Sequence, residues 1–306
     1  MSTTARRCAC VIVAVLALLG LTSLGANARP EAPSKAPVAA PKAVVAPNCG
    51  STQIPKPGGG YWTCTFGDDF TNSVLDTSKW SAQLTSASGF GSPAACYVDT
   101  SNNVSVADGA LNLTARKEPK AFTCASATGN YATQYTAGMV STWNKFSQAY
   151  GRFEIRAKFP AAKVAGLQSS LWLWPQNLTG APWPYDGEID IAETYSALAD
   201  RAIPYIHYVP AVYDPNVTNN YCMISDLSAY HTYAAEWTPT SITISYDGQT
   251  CVSDSWTPFG LVKPAPFNKA FMIALTQGLG VGANAFNPVT TPLPATTSID
   301  YVHVWK

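Results

Sequence analysis

Residues 151–159 (GRFEIRAKF) alternate strictly between apolar and charged side chains. Phe153, Ile155, Ala157 and Phe159 fall on one face, and Arg152, Glu154, Arg156 and Lys158 on the other. This is the period-two pattern of a strand with one dry and one wet face. Comparable signals occur at residues 104–106, 110–115, 170–174, 232–237, 241–246, 270–275 and 298–305, and no segment holds a long helical period. Asp247-Gly248 directly after residues 242–246 marks a hairpin turn. Many short strands separated by Gly, Pro, Asn and Asp turns predict an all-β sandwich or barrel. The absence of an internal repeat argues against a propeller.

The 306 residues are only 12% charged, with 19 basic and 19 acidic side chains. A neutral chain lacks the basic stripe of a nucleic-acid binder. Its 47% hydrophobic content excludes disorder throughout. Part of the apolar excess lies in a leader. Arg6 and Arg7 precede the apolar run 11–21, and Ala26-Asn27-Ala28 offers a small-x-small cleavage site. Residues 1–28 are therefore expected to be a secretory signal peptide, the run being short for a membrane span. Residues 29–48 carry five prolines among Ala and Val and are expected to form an extended linker or tail. The folded unit should be residues 49–306, with 14 basic and 18 acidic residues and a formal charge of −4.

Six cysteines remain in that unit: Cys49, Cys64, Cys96, Cys124, Cys222 and Cys251. In an exported chain an even count favours disulfides over metal ligands. Sequence leaves 15 pairings open. Sequential pairing is expected because each pair then closes a loop of hairpin scale.

Four acids sit within eight residues, Asp186-Gly187-Glu188-Ile189-Asp190-Ile191-Ala192-Glu193, with no Lys or Arg between Lys163 and Arg201. Calcium loops space their oxygens through turn residues, whereas Ile189 and Ile191 alternate like a strand. Glu188 and Asp190 then share a face. Glu193 would point the other way in a regular strand, and a β-bulge at Ile191-Ala192 returns it to that face. Four strand steps put the two glutamate Cα atoms roughly 13 Å apart, and side chains leaning together close roughly 8 Å of that. The carboxyl gap is then on the order of 5 Å, the spacing of a retaining glycosidase rather than the wider inverting one. Asp190 between them disfavours ionising all three, so a shared proton can poise the pair.

The stretch GEIDIAE (187–193) resembles the active-site strand of glycoside hydrolase family 16, whose pattern is Glu-x-Asp-x-x-Glu. Further landmarks are similar: Asp68-Asp69-Phe70 with Lys79-Trp80, the 151–160 strand with Leu171-Trp172-Leu173-Trp174-Pro175, the 230–239 segment with Tyr246-Asp247-Gly248, and Ile299-Asp300-Tyr301-Val302-His303-Val304-Trp305. The resemblance spans about residues 65–306. It implies a concanavalin A-like jelly-roll sandwich with a cleft on the concave sheet, and retaining endo-hydrolysis of a β-linked polysaccharide. It assigns Glu188 as nucleophile, Glu193 as acid/base and Asp190 as the assisting residue. The two residues Ile191-Ala192 resemble the bulged, laminarinase-like branch, which points to β-1,3-glucan. Thr276-Gln277-Gly278-Leu279-Gly280 departs from the usual family pattern, as does the 178–185 loop, so finer substrate choice stays open between β-1,3-glucan, mixed-linkage glucan and galactan. Transglycosylation or simple glycan binding are the alternative activities.

By the same resemblance, Trp183 is expected to line the sugar site, where a flat aromatic suits the C–H face of a sugar. His207 is expected on the neighbouring concave strand, and Trp172 and Gln277 are further candidates for substrate contact. Catalysis should require no cofactor. The family's structural calcium would involve Asp300 on the last strand. The expected partner is the polysaccharide alone, with no nucleic acid, no membrane after leader cleavage, and a monomeric secreted chain.

Overall fold

The computed structural model describes residues 46–92 and 94–306. The expected signal peptide and nearly all of the expected linker lie outside the described residues. The strands in chain order are β1 (Cys64–Asp68), β2 (Ser81–Ala82), β3 (Cys96–Tyr97), β4 (Val104–Ala107), β5 (Ala110–Cys124), β6 (Tyr131–Ser141), β7 (Gly151–Lys158), β8 (Leu167–Pro175), β9 (Glu188–Tyr195), β10 (Ile203–His207), β11 (His231–Trp237), β12 (Ile242–Tyr246), β13 (Gln249–Asp254), β14 (Phe271–Leu279) and β15 (Ala295–Trp305). The only α-helix among the described residues is a single turn, Thr85–Ser88. No helix among the described residues is long and apolar enough to cross a membrane.

The fold is the all-β jelly roll that the strand pattern and the resemblance imply. One layer runs β10-β9-β8-β14-β6, and the other runs β5-β15-β7-β11-β12-β13, with β1 beside β15 and β4 beside β5. Strands β5 and β6 join the layers. Ala115 of β5 pairs with β15, whereas Arg116 onward pairs with β6. Every pairing is antiparallel except that of β3 with β6.

β7 shows how sequence builds this frame. Its residues alternate between buried and half-exposed along its whole length. Phe153, Ile155 and Ala157 enter a core shared with Ile189, Ile191, Leu171, Leu173, Ile273 and Leu275 of the first layer and Tyr233, Ala235, Ile244, Val302 and Val304 of the second. The opposite face of β7 carries ion pairs, with Arg152 bonded to Glu154 and, at 2.6 Å, to Glu236. Asp247 and Gly248 both adopt positive φ, 47° and 79°, as a two-residue hairpin turn between β12 and β13 requires.

Three disulfides link Cys49–Cys64, Cys96–Cys124 and Cys222–Cys251, the sequential pairing expected. Several strands escaped the sequence pattern. β6 and β10 carried no clear alternation, and the Arg116–Cys124 half of β5 is too polar to signal a strand, since much of it is exposed.

Candidate active site

β9 lies between β8 and β10, and both neighbours register the same irregularity. On the β8 side, Leu171 faces Ala192 while Trp172 faces Asp190, so Ile191 has no opposite residue. On the β10 side, Ile203 faces Glu193 and Tyr205 faces Asp190, leaving one residue opposite two. This is the β-bulge that the Glu188–Glu193 spacing predicts. Glu188, Asp190 and Glu193 thereby line one cleft, together with Gln168, Ser170, Trp172, His207, Thr276 and Gly278.

Gly187 sets the entry into β9. Its φ is +79°, and a Cβ there would come within 2.8 Å of Phe267 Cε1, so only glycine fits without displacing the ring. Asp186, the fourth acid of the cluster, does not enter the cleft. It is 5% exposed, forms an ion pair with Lys269, and accepts hydrogen bonds from Thr179 N at 2.9 Å and Thr179 Oγ1 at 3.1 Å. Burial alone would raise its pKa, but Lys269 and the Thr179 donors outweigh burial and hold it below the ordinary value. Its work is to anchor the loop that carries Trp183.

The three carboxyls have different surroundings. Glu188 Oε2 accepts the Trp183 indole N–H at 2.7 Å. Burial, and next the charge of Asp190, push Glu188 up to about 8. Asp190 is 4% exposed, and its Oδ2 lies 2.9 Å from His207 Nε2. Burial, with the charge of Glu193, drives Asp190 well above the usual carboxylate range, while burial holds His207 below its ordinary value. Both shifts run toward the uncharged forms, and the 2.9 Å contact lets Asp190 and His207 share a proton. Glu193 is held at both oxygens. Gln168 Nε2 and Ser170 Oγ donate to Oε1 at 3.0 and 3.3 Å, and Tyr195 Oη donates to Oε2 at 2.9 Å.

Aromatic rings frame these groups. Trp183 is 59% exposed, with its ring centroid 5.0 Å from that of His207. Tyr205 stacks on His207 at 3.9 Å and 6°. Trp172 borders the cleft, its indole N–H bonded to Thr276 Oγ1 at 3.0 Å, and Phe90 packs edge-on against it at 5.3 Å.

One sequence expectation needs correction. Gln277 does not reach the cleft. It is fully buried, and its Oε1 accepts from Ser169 Oγ at 2.8 Å and Thr297 Oγ1 at 2.7 Å between the layers. The neighbours Thr276 and Gly278 face the cleft instead, because strand alternation gives adjacent residues opposite faces. Asp300, the residue expected to take part in a structural calcium site, has a cationic partner. Its carboxylate is ion-paired with Arg156, and Arg156 and Lys158 both lie over the Tyr230 ring, at 4.8 and 4.9 Å. Calcium collects about six to eight oxygens, whereas the charge partner of this carboxylate is Arg156.

Sequence reading also missed partners. Gln168, Ser170 and Tyr195 hold Glu193, and the first two lie at period two with Trp172 on the same strand. That signal was available. Phe90 and Ser92, which also line the cleft, come from a loop and carried none.

Comparison with known proteins finds relatives in both sequence and fold. The family model "Glycosyl hydrolases family 16" matches residues 92–255, more than half of the chain. Glucan endo-1,3-beta-glucosidase A1 of Niallia circulans is 29% identical over 264 residues, 78% of this chain and 37% of that protein. An endo-1,3-1,4-beta-glycanase of Rhizobium meliloti (strain 1021) is 27% identical over 261 residues, 80% of this chain and 52% of that protein. The chain thus spans about half or less of these two relatives. The solved laminarinase of Rhodothermus marinus superposes with a TM-score of 0.66 at 27% identity, over 80% of this chain and 97% of that one. Matched over more than half its length, and carrying on this jelly roll a bulged strand that turns three carboxyls into one aromatic-rimmed cleft, the chain belongs to glycosyl hydrolases family 16.

Proposed function

We propose that this protein is an exported, retaining endo-glycosidase that cleaves β-1,3-linked glucan. The bulge carries the proposal, because it sets Glu193 on the face of Glu188 and Asp190. Glu193 protonates the departing glycosidic oxygen while a Glu188 oxygen attacks the anomeric carbon. The glycosidic bond breaks as the glycosyl ester forms. Glu193, now a carboxylate, takes a proton from water. That water attacks the same carbon, releases Glu188 and leaves the sugar with its original configuration.

The surroundings suit these roles. Glu188 must be ionised to attack. A proton shared between Asp190 and His207 lessens the like charge beside it, and the Trp183 N–H stabilises its anion. Trp183 also offers an apolar platform to the ring next to the scissile bond. The named activities of the Niallia and Rhodothermus proteins support β-1,3-glucan, and that of the Rhizobium protein keeps mixed-linkage glucan as the second substrate. Three disulfides together with the apolar leader support export.

The test is reducing-end release from laminarin, mixed-linkage glucan, xyloglucan, agarose and carrageenan, with the anomer of the first product read by proton NMR. Laminarin should be cleaved fastest and give the β-anomer first. Glu188→Gln should lose at least about 10³-fold in kcat yet still be retained on laminarin. An α-anomer first product, or full turnover by that variant, overturns the mechanism. Products longer than the substrate would identify a transglycosylase instead.

A further inference from the structure

A bulge takes backbone groups out of the ladder, and those groups need other partners when they are buried. Ile191 is fully buried and has no opposite residue in β8. Its carbonyl accepts a hydrogen bond from Tyr246 Oη at 2.9 Å. Tyr246 comes from β12 in the other layer, so this bond crosses the sandwich from the convex sheet to the strand bearing the three carboxyls.

Tyr246 is itself tightly placed. It pairs with Tyr233 across β11 and β12, their rings meet edge-on at 5.0 Å, and it is 5% exposed. Burial, with further contributions from Tyr233, Glu193 and Asp190, keeps its hydroxyl protonated and so a permanent donor.

We propose that Tyr246 is a positioning residue for the glycosidase reaction: by holding the Ile191 carbonyl it locks the β9 bulge and so fixes the offset between Glu188 and Glu193. This rests on the two glutamates being the reacting pair. Gln168, Ser170 and Tyr195 steady the Glu193 carboxylate, but they cannot set where its backbone lies. The bulge does that, because a one-residue slip in β9 register would turn side chains to the opposite face. A displacement of about 1 Å between reacting groups is enough to cost on the order of 100-fold in rate.

Tyr246→Phe keeps the ring and removes the bond. Its kcat on the best glucan should fall about 10- to 100-fold with KM within about threefold, when measured well below the melting temperature. Tyr233→Phe is the matched control, since Tyr233 is also buried but its hydroxyl has no hydrogen-bond partner among the described residues; it should keep wild-type kcat. Native-state hydrogen exchange gives a second readout. In Tyr246→Phe the amides of residues 192–194 should lose protection while those of β12 keep theirs. Wild-type kcat in Tyr246→Phe, an equal loss in Tyr233→Phe, or unchanged protection around the bulge overturns the positioning role alone. A wild-type protein that releases reducing ends from no glycan overturns the glycosidase assignment on which the role rests.

Discussion

The indole N–H of Trp183 donates to Glu188 Oε2 at 2.7 Å, which couples the most exposed aromatic of the cleft to its proposed nucleophile. A donor to the charged form lowers a carboxyl pKa. Trp183→Phe keeps a flat ring and removes the donor. The acidic limb of kcat/KM should therefore move to higher pH, by about half to one unit. Trp183→Ala loses the platform as well, and KM should rise about tenfold further. A pH–rate profile separates the two effects, and an unmoved acidic limb in Trp183→Phe would show that the bond does not tune Glu188.

Glu188 also links folding stability to pH. Its ordinary pKa is 4.5, and burial with the Asp190 charge raises it to about 8 in the folded protein. Between those values the native state holds a proton that the unfolded chain has released, so stability falls as pH rises through this window. Below the lower value both states are protonated and the penalty is absent. Glu188→Gln should thus be more stable than wild type by about 1–3 kcal/mol at pH 8, allowing for partial exposure, and equal to it near pH 4. Urea melts across pH 4 to 8 test this, and an equal gain at both ends would refute the linkage.

Gln277 belongs to the core, so its loss should affect folding and not substrate. Gln277→Leu leaves the Ser169 and Thr297 hydroxyls without their shared acceptor, at a cost of about 1–3 kcal/mol. KM should stay within about twofold of wild type. A large KM change without destabilisation would place the side chain back in the cleft.

Asp300 and Arg156 form a partly exposed ion pair, with side-chain exposures of 35% and 37%. Such pairs contribute up to about 1 kcal/mol. Asp300→Asn should lower the melting temperature only slightly, and millimolar calcium or EDTA should leave wild type and variant equally unmoved. A calcium-dependent rise in melting temperature that disappears in Asp300→Asn would establish the metal role.

Much of the site was legible because alternation along a strand is a local property. The charged and apolar faces of β7, the shared face of Glu188 and Asp190, and the extra residue needed before Glu193 all follow from a period of two. Alternation failed at Gln277, where the resemblance pointed to the right strand but the wrong face. Its amide meets Ser169 and Thr297 inside the sandwich, and no local pattern separates a polar residue buried between sheets from one facing a cleft. β6 and β10 were missed because small or mixed side chains mask which face is dry.

Sequence alone determined that this chain forms strands, that Glu188, Asp190 and Glu193 fall on one strand, and that a bulge must align them, since each follows from side-chain period and count. Only the tertiary structure decided what surrounds those acids. His207 reaches Asp190 from the next strand, Trp183 reaches Glu188 from a loop pinned by Asp186 and Lys269, and Tyr246 reaches the bulge from the opposite sheet, 55 positions later. Burial and like charge then set the proton positions. Both depend on which distant segments pack together, and that cannot be read from the spacing of neighbours along the chain.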